Sequence, residues 1–222
     1  MNVLKTMSSL NPSKSFSINW AGRDLTISVG QLAQQANGSC TVQYGDTVVL
    51  VTATLGNAKE DADYFPLMVD FEERMYAAGR IKGSRFIKRE GRPTDEAILS
   101  GRLIDRAIRP LFSDTLRNEV AVVATVFSHD QINDADIPGL IGASCALAIS
   151  DIPWAGPIAA IRIGRRDGKF IVMPTYEETL VGDLDLVVAG TSEKTLMVEA
   201  GAAQLSDADM LAAMKLAHAH LS

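Results

Sequence analysis

SCTVQYGDTVVLVTAT, residues 39–54, holds two strand-like runs on either side of Gly45-Asp46. Both runs are rich in β-branched residues, and a Gly-Asp pair between two such runs marks an antiparallel hairpin. The return run, VVLVTAT, is so continuously apolar or β-branched that it is expected to be covered on both faces. On its N-terminal side, Phe16, Ile18 and Trp20 alternate with polar residues, 21–24 turns the chain, and Leu25, Ile27 and Val29 alternate again. That is a further hairpin. Toward the C-terminus, 65–71 and 119–128 read as strands, and 158–163 pairs with 170–173 across Arg165-Arg166-Asp167-Gly168. The runs 184–189 and 195–199 form a last hairpin.

Helices alternate with these hairpins but not strictly one for one. Thr94 is a good N-cap, followed by Asp95 and Glu96 in a first turn whose dipole favours acids. Ile98, Leu99, Leu103, Ile104, Ala107 and Ile108 then recur at helical spacing, and Pro110 ends the element at Arg109. The run 139–149 predicts a second helix of small apolar residues. A third begins at Ser206, with Asp209 three residues on and Leu205 and Met210 placed as a hydrophobic staple. Its pattern still runs at Ser222, so the helix is expected to be truncated there. Hairpins feeding helices in this way imply an α+β domain with a mixed sheet and packed helices. We assign 1–14 as a disordered lead-in and 15–222 as one domain.

The chain has 222 residues and a net charge of −6, with 47% hydrophobic and 22% charged residues, the balance of a soluble globular protein. No apolar run approaches the roughly 20 residues that cross a bilayer, and no membrane partner is expected. Cys40 and Cys145, without a spacing motif, read as buried thiols in a reducing cytoplasm. Walker, dinucleotide-binding and zinc motifs are absent, which removes the commonest enzyme classes.

Against that acidic background, 80–92 carries Arg80, Lys82, Arg85, Lys88, Arg89 and Arg92, one acid (Glu90), Gly83, Gly91 and a single aromatic, Phe86. Cations that neutralise phosphates and an aromatic that stacks on a base are what a single-stranded nucleic acid needs; a solvated charged loop is the plainer alternative. The arginines of the following helix divide the same way. Either Asp105 bridges Arg102 and Arg109 on a wet face, or Arg102 and Arg106 meet substrate. Glu177, Glu178, Asp183 and Asp185 are candidate magnesium carboxylates, with ordinary loop acids as the plainer reading.

Residues 76–112 (YAAGRIKGSRFIKREGRPTDEAILSGRLIDRAIRPLF), 141–164 (IGASCALAISDIPWAGPIAAIRIG), LDLVVAGT and LMVEA carry a resemblance. In order and spacing they resemble the first ribonuclease PH-type core domain of the bacterial polynucleotide phosphorylase family. The resemblance implies a ribonuclease PH-like fold, a ring-shaped homotrimer with further RNA-binding domains and a cytoplasmic location. It also implies phosphorolytic 3′-to-5′ degradation of mRNA: with Mg²⁺, inorganic phosphate attacks single-stranded RNA and releases nucleoside diphosphates. Membership of an RNA-degradation complex is a further expectation. The loop matching 84–92 would grip RNA in the ring channel through Phe86, Lys88 and Arg89, flanked by Arg85 and Arg92. Arg80, Arg102 and Arg106 are further candidate RNA or phosphate contacts.

The same resemblance separates binding from catalysis. Active domains of this type carry an Asp-x5-Asp-x-Lys pattern ahead of a Val-Ala-Gly strand end, and a serine pair that binds the attacking phosphate. Aligned on Val188-Ala189-Gly190, those positions read Thr179, Asp185 and Val187. The phosphate-binding region reads Asn133-Asp134-Ala135-Asp136, which repels an anion. The expectation is a non-catalytic core domain with its magnesium site elsewhere. An active stand-alone phosphorolytic ribonuclease and a purely structural module are the alternatives.

Overall fold

A computed structural model describes residues 13–59, 63–81, 83 and 91–221. Among the described residues, ten strands fall into two sheets. The first, in the order β1-β2-β3-β4-β6-β5, comprises β1 (Lys14–Trp20), β2 (Arg23–Val29), β3 (Gly38–Tyr44), β4 (Thr47–Ala58), β5 (Leu67–Glu73) and β6 (Asn118–Ser128). The second, in the order β10-β9-β7-β8, comprises β7 (Ala159–Arg166), β8 (Lys169–Val172), β9 (Leu184–Gly190) and β10 (Thr195–Ala202). All pairs are antiparallel except β5 with β6. The hairpins expected at 16–29, 39–54, 158–173 and 184–199 are present, the second in register Val42↔Val49 about Gly45, whose φ is +60°.

The described residues also hold four α-helices: α1 (Asp95–Ile108), α2 (Asp136–Ala148), α3 (Tyr176–Val181) and α4 (Asp207–Ala219). Helix α2 lies between the sheets, touching β3, β4 and β6 on one side and β7 on the other. Its small residues make that possible. A Cβ on Gly142 would stand 2.4 Å from a Val51 methyl, and one on Gly139 would stand 3.0 Å from the Phe71 ring. Side chains at those positions would wedge the helix off the sheet.

Strand β4 corrects one expectation. Val49, Val51 and Ala53 are fully buried on the α2 side, whereas Val48, Leu50 and Thr52 are only half-buried. A mostly antiparallel sheet can leave one face partly wet, and β-branched residues suit that face as well.

Helix α1 begins and ends as expected, with Thr94 Oγ1 accepting from the Ala97 N–H at 3.0 Å. Its buried face is rotated from the expected stripe. Ala97, Gly101, Leu103, Ile104, Ala107 and Ile108 are buried, and Ile98 and Leu99 are exposed. Gly101 admits the close approach, since a Cβ there would stand 3.2 Å from the Val69 carbonyl oxygen of β5. Helix α2 starts three residues before the predicted 139. Ser206 caps α4 by accepting from the Asp209 N–H at 3.2 Å, and Leu205 and Met210 both pack on the core.

Candidate functional site

The connection from β6 to α2, read from sequence as an acidic and polar link, is a tightly bonded turn. Asp130 accepts from the backbone N–H groups of Ile132 (2.8 Å) and Asn133 (2.7 Å), and from the Asn133 side-chain amide (2.5 Å). Burial works against that charge, but these donors outweigh it and hold the Asp130 carboxyl below its usual range. Asn133, itself buried, accepts from Arg23, which also donates to the Met173 carbonyl at 3.1 Å. Thr47, at the turn of the β3–β4 hairpin, donates to the Asn133 carbonyl at 3.3 Å. The first sheet thereby fixes where 133–136 points.

It points at Arg162 on β7. The guanidinium donates to Asp134 at 2.5 Å and to Asp136 at 2.7 Å, and its Nε faces Asp185 of β9 at 3.4 Å. The Arg162 and Asp136 side chains are only 12% and 6% exposed. Nε and Asp185 Oδ1 are both buried without a hydrogen bond, an ion pair with imperfect geometry. Three carboxylates thus surround one cation. Burial first, and then the Asp134 charge, push Asp136 up to about 7 although Arg162 opposes the shift. Burial would lower Arg162, yet Asp136, Asp134 and Asp185 together raise it, so it stays charged. The Tyr176 phenol is raised by burial and then by the neighbouring acids Asp134 and Asp136.

The two signature segments that sequence separates by some fifty residues therefore meet here. The surviving carboxylate, Asp185, is held by Arg162. Thr179 lies on α3 and donates to its own helix at the Thr175 carbonyl (3.0 Å), and Val187 is buried. The remaining candidate acids also have partners. Glu178 closes a capping box with Thr175, and Asp183 pairs with Arg165 at 2.5 Å. Hydrogen bonds from Thr175 hold the Glu178 carboxyl below its usual range. Among the described residues no group of acids, histidines and cysteines is arranged to hold a metal ion. A magnesium ion does not fit at Asp185, where the nearest charged neighbour is a guanidinium.

A cavity of about 270 Å³ opens beside this cluster, lined by Asp134, Tyr176, His129, Glu96, Arg74 and Arg80, among others. The His129 and Tyr176 rings meet edge-on at 5.8 Å. A smaller cavity, about 130 Å³, shares the β5 end with it and is lined by Arg92, Pro93 and Thr94. Both flanks of the basic segment, Arg80 and Arg92, therefore sit at one end of β5 next to the acidic cluster, and both are exposed. Arg85, Phe86, Lys88 and Arg89 lie outside the described residues.

Arg102 and Arg106 are elsewhere. Ser100 lines the larger cavity, and at 100° per residue Arg102 projects away from it. Arg106 pairs with Glu199 of β10, and among the described residues Asp105 takes Arg109 alone, at 2.6 and 2.9 Å.

Sequence reasoning missed Arg162, Arg23 and Tyr176. The available signal was a charge inside the apolar strand run AAIRIG, where an inward arginine needs acids to meet it.

Residues 21–153 match the model of the 3′ exoribonuclease family, domain 1, and 156–220 that of domain 2. The chain belongs to the 3′ exoribonuclease family. Members similar to it include the polyribonucleotide nucleotidyltransferase of Heliobacterium modesticaldum, 57% identical over 206 residues that make up 91% of this chain and 29% of the relative. That of Bacillus cytotoxicus is 56% identical over 203 residues, 91% of this chain and 28% of the relative. The chain thus spans less than a third of the length of the curated relatives it matches. Among solved structures, the Archaeoglobus fulgidus exosome with RNA bound to the active site superposes with a TM-score of 0.67 at 17% identity, covering 95% of this chain and 85% of the other. Rice Rrp46 gives 0.67 at 14% identity, covering 93% and 87%. At such identities the likeness is one of fold, and it is the ribonuclease PH-like α+β fold expected from sequence.

Proposed function

We propose that this chain is the non-catalytic, RNA-gripping core domain of a phosphorolytic 3′-to-5′ exoribonuclease of the polyribonucleotide nucleotidyltransferase kind. One observation carries the reading: Arg162 sits against Asp134, Asp136 and Asp185, where an active domain would hold phosphate and metal. An inorganic phosphate approaching this cluster meets three carboxylates whose one cation is already engaged, and Coulomb repulsion keeps it out. The basic segment at 80–92 supplies the opposite field, and its flanks Arg80 and Arg92 stand exposed at the cavities beside β5. Phosphates of single-stranded RNA are neutralised there, by these flanks and by Arg85, Lys88 and Arg89 of the sequence that joins them, with Phe86 to stack on a base and Arg102 and Arg106 as more distant cations.

The Mg²⁺-dependent step belongs to another part of the whole enzyme, which releases nucleoside diphosphates, assembles as a homotrimeric ring and works in the cytoplasm in mRNA degradation. Residues 15–222 act as one unit in that assembly. The test incubates the purified chain with RNA, phosphate and magnesium. Bound RNA without released nucleoside diphosphate is expected. Release of diphosphate would restore the stand-alone ribonuclease, and loss of all RNA binding would leave a structural module.

A further inference from the structure

Cys40 and Cys145 lie outside the site and take no part in the function proposed for it. Cys40 is on β3, 2% exposed, and its thiol donates to the Gly142 carbonyl of α2 at 3.3 Å. Cys145 is on α2, three residues beyond Gly142, and is half-buried rather than sealed. Gly38, Cys40 and Val42 alternate on one face of β3, and because Gly38 meets Ala146 while Val42 meets Gly142, Cys40 faces the turn of α2 that carries Cys145. The backbones on either side are as close as backbones come. A Cβ on Gly38, two residues before Cys40, would stand 2.0 Å from the carbonyl oxygen of Ala146, the residue after Cys145. Two thiols that face one strand–helix seam, on elements held this tightly, are placed to be bridged.

We propose that Cys40 and Cys145 are a peroxide-oxidisable pair that closes into a reversible disulfide between β3 and α2. The roles follow from exposure and from what surrounds each thiol. Cys145 is the thiol that solvent reaches, and the neighbouring Cys40 thiol holds it below the ordinary range. The neighbouring Cys145 thiol, and then burial, push the Cys40 thiol up, so Cys40 does not react first. A partly exposed thiolate beside a second thiol is the arrangement of a redox-responsive pair.

In the first step the Cys145 thiolate attacks one oxygen of hydrogen peroxide. An S–O bond forms, the O–O bond breaks, and hydroxide leaves behind a sulfenic acid. In the second, the Cys40 sulfur attacks the Cys145 sulfur. The S–S bond forms, the S–O bond breaks, and the departing hydroxide takes the Cys40 proton as water. Two thiols are oxidised and one peroxide is reduced to water. A dithiol reductant reverses the bridge.

The experiment treats the whole protein with hydrogen peroxide, blocks remaining thiols, and maps peptides by mass. A linked Cys40–Cys145 peptide is expected, lighter by two hydrogens than the separate pair and cleaved by dithiothreitol. The thermal midpoint should rise on oxidation and fall back on reduction, as for a cross-link closing a long loop. Dimedone, a sulfenic-acid trap, should label Cys145 in Cys40→Ala far more than in the wild type. In Cys145→Ser, Cys40 should stay unlabelled and alkylatable after unfolding. Both thiols surviving peroxide, a stable Cys145 oxide beside a free Cys40 in the wild type, or a bridge only between two chains would each overturn the proposal. Wild-type peptide mapping decides the matter alone if a variant fails to fold.

Discussion

Arg162 and the pair Arg80 and Arg92 carry the same side chain in opposite circumstances. Arg162 is 12% exposed with its guanidinium held by Asp134, Asp136 and Asp185 from two other elements. Arg80 and Arg92 are exposed, at the rims of cavities, on a segment with six cations and one acid. Buried charge is tolerated only when partnered, so the first arrangement serves the fold. Exposed and unbalanced charge attracts counter-ions, and serves a ligand that brings its own negative charge. Position relative to the sheets, rather than residue type, decides which role an arginine takes.

Substitutions that exchange or cancel these circumstances test the contrast. The largest effect is expected from Arg162→Met. Three buried or half-buried carboxylates would lose their cation, and breaking such a pair costs about 3–5 kcal/mol, read from urea unfolding. A loss under ~1 kcal/mol would mean the cluster is not integral to the fold.

Asp136→Asn comes next. The Asp136 pKa rises on folding from 3.8 to about 7. A raised folded value means that its favourable contribution is full below pH 3.8 and disappears as pH rises through 7. Relative to the wild type, Asp136→Asn should therefore gain stability across that window, on the order of 4 kcal/mol. Parallel stability–pH curves for the two proteins would refute the assignment.

The half-exposed Arg106–Glu199 pair is a surface contact. Arg106→Ala should cost about 0–1 kcal/mol in thermal or urea unfolding. Smallest of all for the fold is Arg80→Ala with Arg92→Ala, expected to change stability by less than ~0.5 kcal/mol. That double variant should nonetheless weaken RNA binding and flatten its log–log salt dependence, by roughly 0.7 for each phosphate that is no longer neutralised. An unchanged salt slope with normal affinity would assign the RNA to another surface.

Local signals were legible and non-local meetings were not. Thr94, the first-turn acids and Pro110 bound α1 in sequence as they do in the structure, because caps and breakers act within a few residues. The face that α1 buries was less legible. Ile98 and Leu99 are the bulkier residues, but Ala97 and Gly101 let β5 come close. Helix α3 went unread because its six residues carry no apolar stripe and rest on the Thr175–Glu178 capping box. At the candidate site, the acids at 134 and 136 were visible in sequence as departures from an active pattern, and Asp185 as the one carboxylate it keeps. Their convergence on Arg162 was not, since it requires β7, β9 and the turn before α2 to be packed together. The resemblance supplied the family, and the packing supplied the partner that fills its altered site.

The parallel pairing of β5 with β6 has a consequence for the order in which the chain assembles. Every neighbouring pair in the second sheet is antiparallel, and β1 to β4 follow one another as hairpins and turns, so these contacts form between nearby segments. Strand β5 reaches β6 only after the chain has travelled through the basic segment and α1 and returned. Contacts that close long loops form late. In pulse-labelled hydrogen exchange during refolding, the amides of 67–73 should gain protection after those of 38–54. The exposed cations at Arg80 and Arg92 would then reach their final places only in the last stage, once the acidic cluster's own strands are in hand.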